Sequence, residues 1–280
     1  MSDPRTTPYN GRVAAERLKG LVDSPVFDPG TPAMINKPLV DLLRNPNGAR
    51  DRQLCMGEAV LIYEQRDGWA FVEAERDGYV GYVSVREVGD LPQRTHRVTA
   101  RATHLYEHPN FKTFEATTLS LGSLIAVNGP TEGRFVETAI GMFVPSAHLT
   151  PLDQPEKDPV RVAERLLGTP YLWGGNSSFG TDCSGLVQMS CLACGIDCPG
   201  DADMQEDELG EHLPDHAPLR RGDLIFWDGH VGLMASADML IHANAFNMAT
   251  AYEPLRAAIT RIEAQGDGPI TSRKRLEQLA

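Results

Sequence analysis

The chain has 280 residues, 41% of them hydrophobic and 23% charged, and its 26 Lys and Arg against 38 Asp and Glu give a formal net charge of −12. This composition supplies apolar material for more than one core and excludes wholesale disorder. The negative surface repels phosphate backbones and disfavours adhesion to an anionic polymer or membrane, so no nucleic-acid or membrane partner is expected, and a small diffusing substrate is.

The opening residues MSDPRTTPYNGRVAAERLKG hold no apolar run followed by a small-residue cleavage site. Apolar runs such as Leu124 to Val127 and Leu224 to Trp227 are far shorter than the ~20 residues that span a bilayer. The five cysteines are an odd number, and four of them fall within residues 183–198, which is no secreted disulfide framework. A cytoplasmic protein is expected.

Residues 1–34 read as an N-terminal arm, with a short helix predicted over Arg12 to Val22 because Val13, Ala14, Leu18, Leu21 and Val22 recur near helical spacing. Residues 35–90 change to short strands, Ala59 to Tyr63, Trp69 to Val72 and Tyr79 to Val83, separated by the turn pairs Asp67-Gly68 and Asp77-Gly78. Residues 91–150 repeat this rhythm, with Leu124 to Val127, a Gly129-Pro130 turn, Arg134 to Val136 and Gly141 to Val144. Both segments have the length of small closed β-barrels. The second ends in FVPSAHL where the first ends in YVSVREV, which suggests a degenerate tandem repeat.

The stretch TPLDQPEKD at 150–158 reads as a linker. Residues 151–280 then form an α+β domain. A helix is predicted over Pro159 to Leu167 with Pro159 in its first turn, followed by a Gly-rich loop, a second helix, and strands near Leu224 to Trp227 and Val231 to Met234.

The chemistry concentrates in GTPYLWGG at 168–175 and TDCSGLV at 181–187. Leu186, Val187, Met189 and Cys194 follow Cys183 at helical spacing, which puts Cys183 in the first turn of a helix. Unpaired N–H groups and the helix dipole there favour an anionic sulfur. Small residues at Ser184 and Gly185 allow a substrate carbonyl to approach. His230 and His242 lie downstream on strand-like segments, and a base on one strand oriented by a polar group on the next completes a nucleophile–base–orienter arrangement.

These blocks carry a resemblance. Residues 159–260 resemble the NlpC family of cell-wall cysteine peptidases, with Y-x-W-G-G, D-C-S-G, G-D-L, H-V-G and I-H-A in order. The resemblance implies a papain-like α+β domain with Cys183 as nucleophile, His230 as base and His242 as orienting residue. It places Tyr171 beside the thiol and gives Asp182 and Ser184 a part in holding substrate. The front of the chain resembles the bacterial SH3-like modules that precede such domains, here two small all-β SH3-like barrels. In the subgroup with two modules, residues of the first recognise the free amine of an N-terminal L-Ala, and the matching positions are Glu58 and Tyr79. Asp201 matches another acid of that pocket, although Gly200 and Ala202 stand where the family often has Arg and Ser.

The resemblance implies a murein peptide substrate, cut between D-Glu, through its γ-carboxyl, and a diamino acid. Without a leader, recycling of wall peptides is the expected setting. The rival readings are an exported hydrolase of intact stems and a non-catalytic binding protein. No cofactor is expected. Cys191, Cys194 and Cys198 invite a metal reading with His212, His216 or Cys183 as fourth ligand, but free cysteines on an apolar helix behave mainly as small buried hydrophobes, and no metal is expected. Trp173 is read either as lining the substrate groove or as core.

Overall fold

The computed structural model describes residues 3–129 and 133–276. Pro130 of the expected Gly129-Pro130 turn lies outside them. The chain divides into two units, Met1–Leu152 and Asp153–Ala280, and the division falls within the stretch read as a linker.

The first unit is all-β. Asp67 and Gly68 both take positive φ, 51° and 84°, which is the geometry of a two-residue hairpin turn matched to strand twist. They join strand Ala59–Arg66 to strand Trp69–Ala74 through the closing pair Arg66 and Trp69. These strands belong to a seven-stranded antiparallel sheet in the order Arg50–Cys55, Leu39–Leu43, Val80–Ser84, Trp69–Ala74, Ala59–Arg66, Thr31–Ile35, Val88–Gly89. Ile35, Val40, Leu42, Leu54, Val60, Val72 and Val83 fill its interior. Alternation puts Val60 and Ile62 in this core and Leu61 and Tyr63 in a second cluster, and a register shift against the neighbouring strand follows between Ile62 and Glu64.

Residues 96–151 build a three-stranded and a five-stranded antiparallel sheet. Val98, Leu105, Leu119, Ile125, Val136, Val144 and Leu149 form their common core, with Met56 added from the loop after Arg50–Cys55.

The helix predicted over Arg12 to Val22 is absent. Val13–Ala15 is a strand paired in parallel with Val26–Asp28, and only Glu16–Leu18 turns, as a 3-10 helix. Asn10 Oδ1 accepts the N–H groups of Arg12 and Val13, both at 3.0 Å, and Gly11 and Gly20 take positive φ. These turns leave too few residues between them for a stable helix. Val13 and Ala15 instead pack on Tyr63, Phe71, Val80 and Tyr82, while Leu21, counted toward the helical stripe, is 77% exposed.

The second unit is α+β. Helix α1, Pro159–Glu164, starts as expected: Asp158 caps it by accepting from Val160 N and Arg161 N, and Pro159 sits where no N–H is needed. Helix α2, Cys183–Ala193, is buried along nearly its whole length. A six-stranded antiparallel sheet runs in the order Glu211–His212, Ser272–Arg275, Leu224–Trp227, His230–Met234, Met239–Asn244, Ala249–Pro254. Helix α2 packs against the strands His230–Met234 and Met239–Asn244. Helix α3 spans Ala202–Glu208 and helix α4 Leu255–Gln265. Helix α4 lays Leu255, Ala258 and Ile262 on Ile225, Trp227, Met234 and Leu240, each full burial contributing about 1.5–3 kcal/mol for the large side chains. No helix among the described residues is long and apolar enough to cross a membrane.

Candidate active site

Cys183 is the first residue of α2, and Asp182 is its cap. Asp182 Oδ1 accepts from Gly185 N at 2.7 Å and from Ser184 Oγ at 3.2 Å, while Oδ2 accepts from Gly174 N at 2.9 Å. One carboxylate therefore ties the Gly-rich loop to the helix start. Both Asp182 and Ser184 are buried, and the acid expected to hold substrate also shapes the turn that presents the thiol. Gly185 is required by packing: a Cβ there would come 2.2 Å from Gly175 O.

The Cys183 thiol lies 3.9 Å from Gly229 O, at the turn that leads into His230. His230 opens its strand and pairs with Trp227 across the sheet. Strand alternation puts His242 on the face of Leu240, two residues earlier, and the cross-strand partner of Leu240 is Glu253. A continuous chain results. His230 Nε2 lies 2.9 Å from His242 Nδ1, and His242 Nε2 lies 3.0 Å from Glu253 Oε2. Arg261 on α4 then grips Glu253 with Nε and Nη2, at 3.0 and 2.8 Å, and its guanidinium sits 4.7 Å from the Phe246 ring centroid.

Burial pushes His230 from 6.5 down to about 3, aided by His242 and Arg261. Burial likewise lowers His242 to about 4, against the opposing pull of Glu253. Both rings are therefore neutral at pH 7. Arg261 holds the Glu253 carboxyl below its usual range. Tyr171 is pushed well up by burial and by negative charge at Cys183 and Asp182.

An open cleft of about 550 Å³ borders His230, lined also by Tyr171, Asp228, Asn244, Phe246, Arg261 and Asp267. Asn244 Oδ1 accepts from Asn247 N at 2.7 Å, and its buried Nδ2 has no hydrogen-bond partner among the described residues.

Cys183, Asp182 and Ser184 at the start of α2 thus meet the Gly229 turn that leads into the His230–His242 pair, and Tyr171 lines the same cleft as His230. Trp173 is 72% exposed, which removes the core reading. Asp201 caps α3 by position without a side-chain cap bond, and Gln205 of that helix donates to Ser184 O at 2.9 Å. Glu58 and Tyr79 lie in the first unit. Both oxygens of Glu58 accept from Arg76 Nη1, at 2.7 and 2.8 Å, and burial raises the Glu58 carboxyl against the pull of Arg76. Tyr79 packs in the first-unit core, with its N–H donated to Asp77 Oδ1 at 3.1 Å.

All five cysteines are buried and none is in a disulfide. Among the described residues no group of three or more His, Cys, Asp or Glu side chains is placed to hold a metal ion. Sequence reasoning missed Glu253, Arg261 and Asn244. The alternation in ATAYE at 249–253 marks a strand, but its register against His242 is a property of the fold.

Residues 42–88 match the family model described as the bacterial dipeptidyl-peptidase SH3 domain, and residues 168–261 match the NlpC/P60 family. The chain is 30% identical over 216 residues to the gamma-D-glutamyl-L-lysine dipeptidyl-peptidase of Bacillus subtilis (strain 168), covering 68% of this chain and 71% of that protein. It is 27% identical over 208 residues to dipeptidyl-peptidase 6 of Lysinibacillus sphaericus, covering 66% and 76%. Among solved structures, an NlpC/P60 family protein from Bacillus cereus ATCC 10987 superposes with a TM-score of 0.75 at 18% identity, over 88% of this chain and 99% of that one, and so shares the fold. With a helix-borne cysteine and a histidine chain inside the matched segment, the protein is a cysteine peptidase that belongs to the NlpC/P60 family.

Proposed function

We propose that the chain hydrolyses the amide bond between the γ-carboxyl of D-Glu and a diamino acid in murein peptides with a free N-terminal L-Ala, releasing L-Ala-D-Glu. The observation that carries this reading is the Cys183 thiol at the start of α2, held at Gly229 O beside the His230–His242 pair. The names of the Bacillus subtilis and Lysinibacillus sphaericus relatives support the bond and the dipeptide product.

In this mechanism the Cys183 proton passes to His230 as sulfur attacks the γ-carbonyl, and N–H groups at the start of α2 face the developing oxyanion. His230 then gives its proton to the leaving amine, and a thioester remains. Water attacks the thioester with His230 as base, regenerating the thiol. Because His230 protonates the amine, the leaving residue belongs on the His230 side. The cleft there carries both signs of charge, Asp228 and Asp267 with Arg261, which suits a residue bearing both a carboxylate and an ammonium group.

Glu58, Tyr79 and Asp201 are assigned to the free-amine end of the substrate. Both Glu58 oxygens accept from Arg76, and a carboxylate offers about four lone-pair sites, which leaves acceptor capacity for an ammonium. Trp173 is assigned to the groove wall. In the same reading residues 91–150 are a second SH3-like module, and the setting is cytoplasmic recycling of wall peptides.

Mass spectrometry of digests of L-Ala-γ-D-Glu-diaminopimelate, beside the same peptide N-acetylated on L-Ala, tests the proposal. Cleavage of the free peptide alone is expected. Equal cleavage of both would overturn the amine requirement in favour of an exported hydrolase of intact stems, and cleavage of neither would overturn the assigned bond.

A further inference from the structure

We infer that Glu253 is a positioning residue that dictates which nitrogen of His230 acts as the base. An ionised carboxylate only accepts hydrogen bonds. Arg261 keeps Glu253 ionised through two bonds, at 3.0 and 2.8 Å. The group 3.0 Å from Glu253 Oε2 must therefore be a donor, so His242 carries its proton on Nε2. A neutral imidazole has one such proton, which leaves His242 Nδ1 bare. His230 Nε2, 2.9 Å from that bare nitrogen, must then donate to it. The proton of neutral His230 is thereby fixed on Nε2, and its Nδ1 is bare and able to take the thiol proton.

The assignment propagates across two rings from one carboxylate. Remove that carboxylate, and His242 is free to hold its proton on Nδ1 and donate it to His230 Nε2. His230 would then be protonated on Nδ1 and could not accept from Cys183. The Glu253 charge is itself balanced by Arg261, so the role is orientation of protons more than stabilisation of an imidazolium. Nothing in the catalytic residues themselves supplies this direction, because a pair of neutral histidines can share a hydrogen bond in either sense.

The inference rests on the Cys183–His230 site, and its decisive test needs no substrate. Nitrogen NMR of the histidine rings in the full chain is expected to show both His230 and His242 as Nε2–H tautomers. In Glu253→Ala, mixed tautomers are expected at both rings, with kcat falling roughly a hundredfold or more and KM within about twofold. Glu253→Gln, whose carbonyl can still accept, is expected to recover part of both. A wild-type spectrum with His242 protonated on Nδ1 would overturn the inference even if no variant folds. So would a folded Glu253→Ala protein that keeps the wild-type tautomers. Failure of the wild type to cut the proposed peptide bears on the substrate and leaves the spectrum to decide the role of Glu253.

Discussion

Asp182 Oδ2 accepts the N–H of Gly174 at 2.9 Å, although the two residues lie on opposite sides of the short strand pair at 176–181. The bond closes the Gly-rich loop onto the nucleophile's helix, while the other oxygen caps that helix. Asp182→Ala removes both attachments. It is expected to lower unfolding stability by about 1–3 kcal/mol, measured by urea denaturation, and to reduce turnover more than tenfold. Retention of full activity with lost stability would show that the loop does not depend on this acid.

Gly185 offers a sharper probe of the same turn. Its missing Cβ leaves room for Gly175 O, which would otherwise stand 2.2 Å away. Both partners are backbone or backbone-attached, so neither can rotate aside. Gly185→Ala is expected to cost on the order of 1–3 kcal/mol and to displace Cys183. A thermal melt and a rate assay on the same sample check both effects.

The histidine pair makes acid stability predictable. Burial holds His230 near 3 and His242 near 4 in the folded chain, below the ordinary value of 6.5. Between those values the unfolded chain binds more protons than the folded one, so stability is full above pH 6.5 and falls as pH drops toward 4 and then 3. Equilibrium unfolding measured across that window should show the decline, and His242→Gln should flatten it. Glu253, held below its usual range by Arg261, adds a further loss below pH 4.5.

Glu58 can be tested within its own unit. Its partner Arg76 is mostly buried and keeps Asp77 Oδ2 at 3.4 Å and Gln53 O at 2.9 Å, so Glu58→Ala removes one of the two carboxylates beside that cation at a cost of about 1–3 kcal/mol. Glu58→Gln keeps the packing and removes the charge. If Glu58 receives the substrate ammonium, this variant should raise KM for the free-amine peptide at least tenfold while kcat changes little. An unchanged KM would confine Glu58 to its pairing with Arg76.

Signals written in contiguous residues were legible in the sequence. Leu186, Val187 and Met189 at helical spacing behind Cys183 announce a helix that has Cys183 in its first turn, and the paired Asp-Gly turn announces the hairpin at Asp67, whereas the capping role of Asp182 appears only in the structure. The arm misled because Val13, Ala14, Leu18, Leu21 and Val22 imitate a helical stripe, while the deciding features are turns at Gly11 and Gly20 and burial against Tyr63 and Phe71. Glu253 was out of reach for a different reason. Its approach to His242 depends on the hairpin register that pairs Leu240 with Glu253 and His242 with Ala251, and on a helix residue, Arg261, that holds the carboxylate. Glu58 reads as an isolated acid in the sequence, and its pairing with Arg76 appears only once the strands are aligned.

The central claim is hydrolysis through a Cys183 thioester. The most direct measurement compares the wild type and Cys183→Ala on L-Ala-γ-D-Glu-diaminopimelate, with products and retained peptide read by mass spectrometry and binding by calorimetry. The account predicts that the wild type releases L-Ala-D-Glu, whereas the variant binds the peptide and releases none. Release of the dipeptide by Cys183→Ala at a rate near that of the wild type would contradict it.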